Sequence, residues 1–173
     1  KLGNRIQVYT TGLFVILLVL ISAAVYFSFS KIVYDSDVDQ TRVEAERIVT
    51  GINERSGDSL SADVLRAYVP ANGMIRLVLP DGTSEVSLTG GNQENLIEQA
   101  YPYEAGEKAE VRSYEGVPYA FVSIPIVWTN GEVVSFQLTR SLEATAQNLS
   151  ILRIVLVTVA VLAMIPFFLS SRL

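Results

Sequence analysis

The chain has 173 residues, half of them hydrophobic, with 13 basic and 18 acidic side chains and a formal net charge of −5. It contains neither Cys nor His, which excludes disulfide scaffolds, thiolate metal sites, cysteine nucleophiles and histidine-based catalysis. The acidic balance also argues against nucleic acid as a partner, because such affinity rests on clustered Lys and Arg.

Between Arg5 and Lys31 the sequence carries no charge, and Val8 to Phe29 is almost wholly apolar or small. A helix needs about 20 such residues to cross a hydrocarbon core. A second run, Ile154 to Leu169, follows Ile151, Leu152 and Arg153, and an arginine there can snorkel to the interface. The competing readings are a buried helix of a soluble protein and a cleaved signal peptide cut near Ser22, Ala23 and Ala24. Two such runs in one small acidic chain, the first continuing into a helical pattern, favour two membrane spans.

Lys1, Arg5 and Arg172 flank the outer ends of these runs. The stretch from Lys31 to Arg153 holds all 18 acidic residues and the other 10 basic ones, a net charge of −8. The positive-inside rule then puts both termini in the cytoplasm and the connecting domain outside. The expected organisation is a cytoplasmic N-terminus over 1–7 and a transmembrane helix over 8–30. An extracytoplasmic domain over 31–150 and a second transmembrane helix over 151–170 follow, with 171–173 as the cytoplasmic start of a linker. The lipid bilayer of the cell membrane is therefore an expected partner.

Tyr34, Val38, Thr41, Ala45, Ile48 and Ile52 recur at spacings of four and three, a heptad pattern expected of a homodimer seam. The first span should therefore continue outward as one helix until Ser56 and Gly57 break it. A short helix follows, with Ser61 as N-cap, Leu60 and Leu65 as a hydrophobic staple, and Pro70 stopping it after Val69.

From Met74 the period changes to two. Ile75, Leu77 and Leu79 share one face of a strand, and Asp81-Gly82 turns the chain into a second strand over 84–88. Asn92 can cap a helix through Ala100 that Pro102 ends. Three further strands are predicted over 109–114, 117–128 and 132–140, joined by Glu115-Gly116 and Asn130-Gly131 turns. In the last strand Val134, Phe136 and Leu138 form the core face, opposite Ser135, Gln137 and Thr139. Ser141 caps an exit helix with Glu143 in its first turn.

This order resembles the extracytoplasmic PAS-like, or Cache-type, sensor domains of bacterial receptors. The resemblance rests on Ile75 to Ser84 (IRLVLPDGTS), strand, Asp-Gly turn and strand, and on Gly116 to Ile126 (GVPYAFVSIPI), a long strand with an internal Pro. With its flanking spans the chain is similar to the N-terminal sensor half of a Gram-positive two-component sensor histidine kinase. The fold so implied is α+β: a PAS-like antiparallel five-stranded sheet with helices, flanked by two transmembrane α-helices. In such kinases a linker, a phospho-accepting His helix and an ATP-binding domain follow the second span. ATP, Mg²⁺ and a response regulator are thus expected only through that kinase part, and no cofactor within these residues. No pair of carboxylates stands out as an acid/base dyad, and the segment itself is not expected to be an enzyme.

Two constellations are candidates for binding. Asp35, Asp37, Asp39 and Glu46 match positions 1, 3, 5 and 12 of an EF-hand loop, but Gln40 stands where the loop needs Gly, and the heptad pattern runs through them. A solvated acidic helix face is the simpler reading, so no metal is expected. The PAS-like resemblance places a ligand between the sheet and the segment linking its second and third strands. Tyr101, Tyr103 and Glu104 lie in that segment, and nearby strands supply Arg76, Arg112 and Tyr119. Arginine can clamp a carboxylate and tyrosine can wall a pocket, although Tyr packed with its tip in water and solvated Arg would give the same pattern. Trp128 is read as a surface or core anchor.

The leading expectation is a kinase input module, passing an unknown extracytoplasmic stimulus, whether ligand or partner protein, through the two spans of a dimer. The input half of a chemoreceptor or cyclic-dinucleotide enzyme would share these features, and a non-signalling membrane-tethered interaction protein is the alternative from another class.

Overall fold

The computed structural model describes residues 2–54, 62–90, 102–127 and 131–172. Helix α1 (Leu2–Glu54) is followed by α2 (Ala62–Arg66), β1 (Gly73–Val78), β2 (Ser84–Thr89), β3 (Lys108–Tyr114), β4 (Val117–Val127), β5 (Val133–Ser141) and α3 (Glu143–Arg172). The fold is α+β, as expected. The expected helix over 92–100, its cap Asn92, Ser61, Leu60, Trp128 and Asn130 lie outside the described residues.

The chain divides into two units, Tyr34–Ala144 and the pair of segments Lys1–Val33 and Thr145–Leu173. In the second of these, both helices are long and apolar enough to cross a membrane. Phe14 and Phe167 stack there with ring centroids 4.7 Å apart.

The unit Tyr34–Ala144 is built on a five-stranded sheet of order β2-β1-β5-β4-β3. Every pairing is antiparallel. Its turns follow from local chemistry. Leu79 O accepts from Gly82 N at 2.9 Å and Leu79 N donates to Thr83 O at 2.9 Å, so the β1–β2 loop is a three-residue turn, Pro80–Gly82, rather than a two-residue Asp-Gly one. Pro80 supplies the fixed φ, and Gly82 takes φ +89°. Glu115 and Gly116 both have positive φ, 48° and 78°, the signature of a type I′ hairpin.

One sheet face is apolar. Leu88, Ile75, Leu138 and Val122 lie in one cross-strand row, and Val86, Leu77, Phe136 and Ile124 in the next. Ala45, Ile48 and Ile52 of α1 and Leu65 of α2 complete this core. Val38 packs with Ala120 and Leu142, and Tyr34 leans on them. Thr41 is fully buried and returns its hydroxyl to Asp37 O at 2.8 Å.

The heptad pattern expected to form a homodimer seam therefore faces this chain's own sheet. A core-facing helix and a coiled-coil helix have nearly the same period, and an apolar sheet face requires a cover. Any dimer along α1 must use its other side, where Val43 is half exposed.

Candidate functional site

The opposite sheet face is polar yet buried. The register aligns Ser87, Arg76, Gln137, Ser123 and Lys108 in one row across all five strands. The adjoining row is Thr89, Met74, Thr139, Phe121 and Glu110. On β5 the pattern of two puts Ser135, Gln137 and Thr139 on this face, and all are at most 1% exposed. Ser123 on β4 is fully buried, and Arg76 on β1 is 3% exposed.

A register shift between Leu77 and Val78 lets Ser84 pair with Val78, turning Ser84 onto the same face as Ser87. The guanidinium of Arg76 donates to Ser84 Oγ from Nε at 3.1 Å and from Nη2 at 2.9 Å, and the Ser84 and Ser87 hydroxyls lie 3.1 Å apart. At the sheet centre the Ser123 and Ser135 hydroxyls share a 2.6 Å hydrogen bond.

The segment entering β3 is tied to this face. Gln137 Nε2 donates to Pro102 O at 3.0 Å, and the Tyr103 hydroxyl donates to Val133 O at 3.2 Å. Glu104 accepts from Lys108 at 3.4 Å and lies 3.8 Å from Arg112. Arg112 also pairs with Glu110 and stacks 4.3 Å above the Phe121 ring. Two buried polar atoms, Gln137 Oε1 and Thr139 Oγ1, have no hydrogen-bond partner among the described residues. Each such orphan costs about 1–3 kcal/mol, so this face is polar beyond what its own bonding satisfies.

Of the residues the sequence singled out, Arg76, Arg112 and Tyr119 fall on this face and Tyr103 in the segment tied to it, while Tyr101 lies outside the described residues. Arg76 and Arg112 stand on β1 and β3, three strand spacings apart, or about 14 Å. They serve different ends of the face, not one clamp. Tyr119 packs with Met74 at that face's edge. Sequence reasoning passed over Gln137, Thr139, Ser123 and Ser135 as site residues. The available signal was a polar alternation in strands whose other face is solidly apolar, together with Ser123 inside the apolar run from Ala120 to Ile126.

Asp35, Asp37, Asp39 and Glu46 lie on unbroken helix, where residues two apart point about 200° from one another instead of converging as in an ion-binding loop. No group of three metal-ligating acidic side chains occurs among the described residues.

No family model matches the sequence, and no solved structure matches it. Over 175 aligned residues the chain is 34% identical to the sensor histidine kinase YkoH of Bacillus subtilis (strain 168). This chain resembles part of a sensor histidine kinase. The alignment takes in all of this chain and 38% of that protein's length, so the likeness covers one portion of a larger kinase.

Proposed function

We propose that this chain is the signal-input module of a membrane sensor histidine kinase. On this reading α1 and α3 cross the membrane, both termini are cytoplasmic, and Tyr34–Ala144 is a PAS-like, Cache-type domain on the extracytoplasmic side. The observation that supports the reading most is the similarity of this chain, along its whole length, to 38% of a sensor histidine kinase. The charge distribution supports the orientation. The buried polar sheet face, with Arg76, Gln137 and Thr139 beneath a segment held by Pro102, Tyr103 and Glu104, is the candidate stimulus site.

The domain's two sheet faces share the same strands. A change at Gln137 or Thr139 alters β5, whose alternate residues Phe136 and Leu138 pack in the core with Ala45, Ile48 and Ile52. Because α1 (Leu2–Glu54) belongs to both units, it is the element through which a shift at Ala45, Ile48 or Ile52 would pass toward the membrane. The whole kinase would add ATP and Mg²⁺, a homodimer and a response regulator.

Sided thiol labelling tests the topology. Single cysteines at Ser113 and Ser171, probed with a membrane-impermeant reagent on intact cells, should label at position 113 alone. Labelling at 171 but not at 113 would overturn it.

A further inference from the structure

The unit made of Lys1–Val33 and Thr145–Leu173 contains five cationic side chains, Lys1, Arg5, Lys31, Arg153 and Arg172, and no Asp or Glu. A groove of about 630 Å³ runs between α1 and α3. Its walls are apolar, among them Val19, Ala23, Leu156 and Ala160, and Ser22, Tyr26 and Arg153 supply its polar groups. Arg153 forms no salt bridge among the described residues.

The depth of Arg153 follows from helix geometry. The Phe14–Phe167 stack levels the two helices. At 1.5 Å per residue, Arg153 stands about 21 Å above that level and Tyr26 about 18 Å. Arg153 and Arg172 are about 28 Å apart along α3, close to the roughly 30 Å of a hydrocarbon core. The guanidinium at the groove's end is therefore level with lipid phosphates, while the groove below it is level with acyl chains.

We infer that this groove binds one anionic phospholipid from the leaflet nearer Lys31, with its phosphate on Arg153 and an acyl chain along Ala23 and Ala160. A guanidinium matches a phosphate geometrically, and a basic side chain at headgroup level is drawn to anionic lipid. The unit has no acid to compete for Arg153. Tyr26 offers a hydroxyl at nearly the same height. The inference rests on the membrane reading above.

The test places the whole chain in nanodiscs of equal parts phosphatidylglycerol and phosphatidylcholine with matched acyl chains and counts retained lipids by native mass spectrometry. One phosphatidylglycerol should be retained at least about fivefold over phosphatidylcholine, the factor expected of one basic side chain at an anionic membrane surface. Arg153→Gln should abolish the headgroup preference, and Arg153→Lys should keep it in weakened form, because a point charge remains without the bidentate fork. Ala160→Phe, which fills the groove, should lower retention of both lipids. An unchanged preference in Arg153→Gln would overturn the inference. So would efficient crosslinking between two copies carrying Ala160→Cys, because a second chain would then fill the groove. Alkaline extraction separates the two readings: release from membranes contradicts the spans themselves, whereas firm insertion without headgroup preference contradicts the lipid site alone.

Discussion

Gln137 reaches across 35 residues of sequence to donate a 3.0 Å hydrogen bond to Pro102 O, while its own Oε1 lies buried without a partner among the described residues. A net hydrogen bond stabilises by about 0.5–1.5 kcal/mol, and an orphan costs about 1–3 kcal/mol. Gln137→Leu removes both and should change stability by less than about 1 kcal/mol despite its central position. Ser135→Val should cost about 1–3 kcal/mol, because it strips the Ser123 hydroxyl of its 2.6 Å partner. Thermal unfolding of the chain in detergent ranks the two, and a larger loss in Gln137→Leu would contradict the bonding described here.

The core-facing face of α1 makes a prediction about contacts between copies. Disulfide crosslinking of single cysteines should be weak at Val38, Thr41, Ala45, Ile48 and Ile52, which are buried in their own domain. A homodimer along this helix should crosslink at the exposed Asp39, Val43, Glu46 and Thr50 instead. Strong crosslinking at Ala45 in a folded domain would require the sheet to leave α1.

Hairpin geometry fixes two further substitutions. Gly131 has φ +85°, and Gly131→Val should cost about 1–3 kcal/mol because a β-branched residue is strained there. Glu115 holds φ 48° without being glycine. Glu115→Asn should therefore stabilise, since asparagine suits the left-handed region better. Equal melting of all three chains would misplace both turns.

Asp81 gives the domain a pH signature. Its carboxylate accepts from Thr83 Oγ1 at 2.6 Å and from Thr83 N at 2.8 Å, and these bonds hold its pKa below the usual carboxylate value. Because the folded pKa is depressed, the stabilisation is complete above the unfolded value and is lost as pH falls through the folded one. Thr83→Val should move the Asp81 titration midpoint upward, measured by carboxyl carbon NMR. An unmoved midpoint would exclude the Thr83 hydroxyl as a cause.

Much of this fold was legible because alternation and turn chemistry agree. The five strands, the Glu-Gly turn, the glycine of the Pro80–Gly82 turn, the long first helix and the Ser141 cap, whose Oγ accepts from Glu143 N at 3.3 Å, all have local causes. Strand order was not legible, since β1 pairs with β5 across more than 50 residues and no local signal specifies that partner. The α1 stripe misled for a related reason: Ala45 and Ile48 have the same spacing whether they face a second helix or a sheet. Arg76, Arg112 and Tyr119 on the polar face, and Tyr103 beside it, were singled out from the sequence as candidates. Gln137 and Thr139 were not, because a polar residue on an alternating strand reads as solvent-facing until something is seen to cover it.

On the proposed reading, the polar sheet face acts on a kinase through α1 and α3. Autophosphorylation of the full-length protein in membranes, compared between wild type, Arg76→Ala and Gln137→Leu, tests it most directly. The account predicts a change of about fivefold or more in phosphorylation level, the lower range of coupling between distinct sites, with the KM for ATP unchanged. Variants that keep their folded domain yet phosphorylate as the wild type does would contradict it.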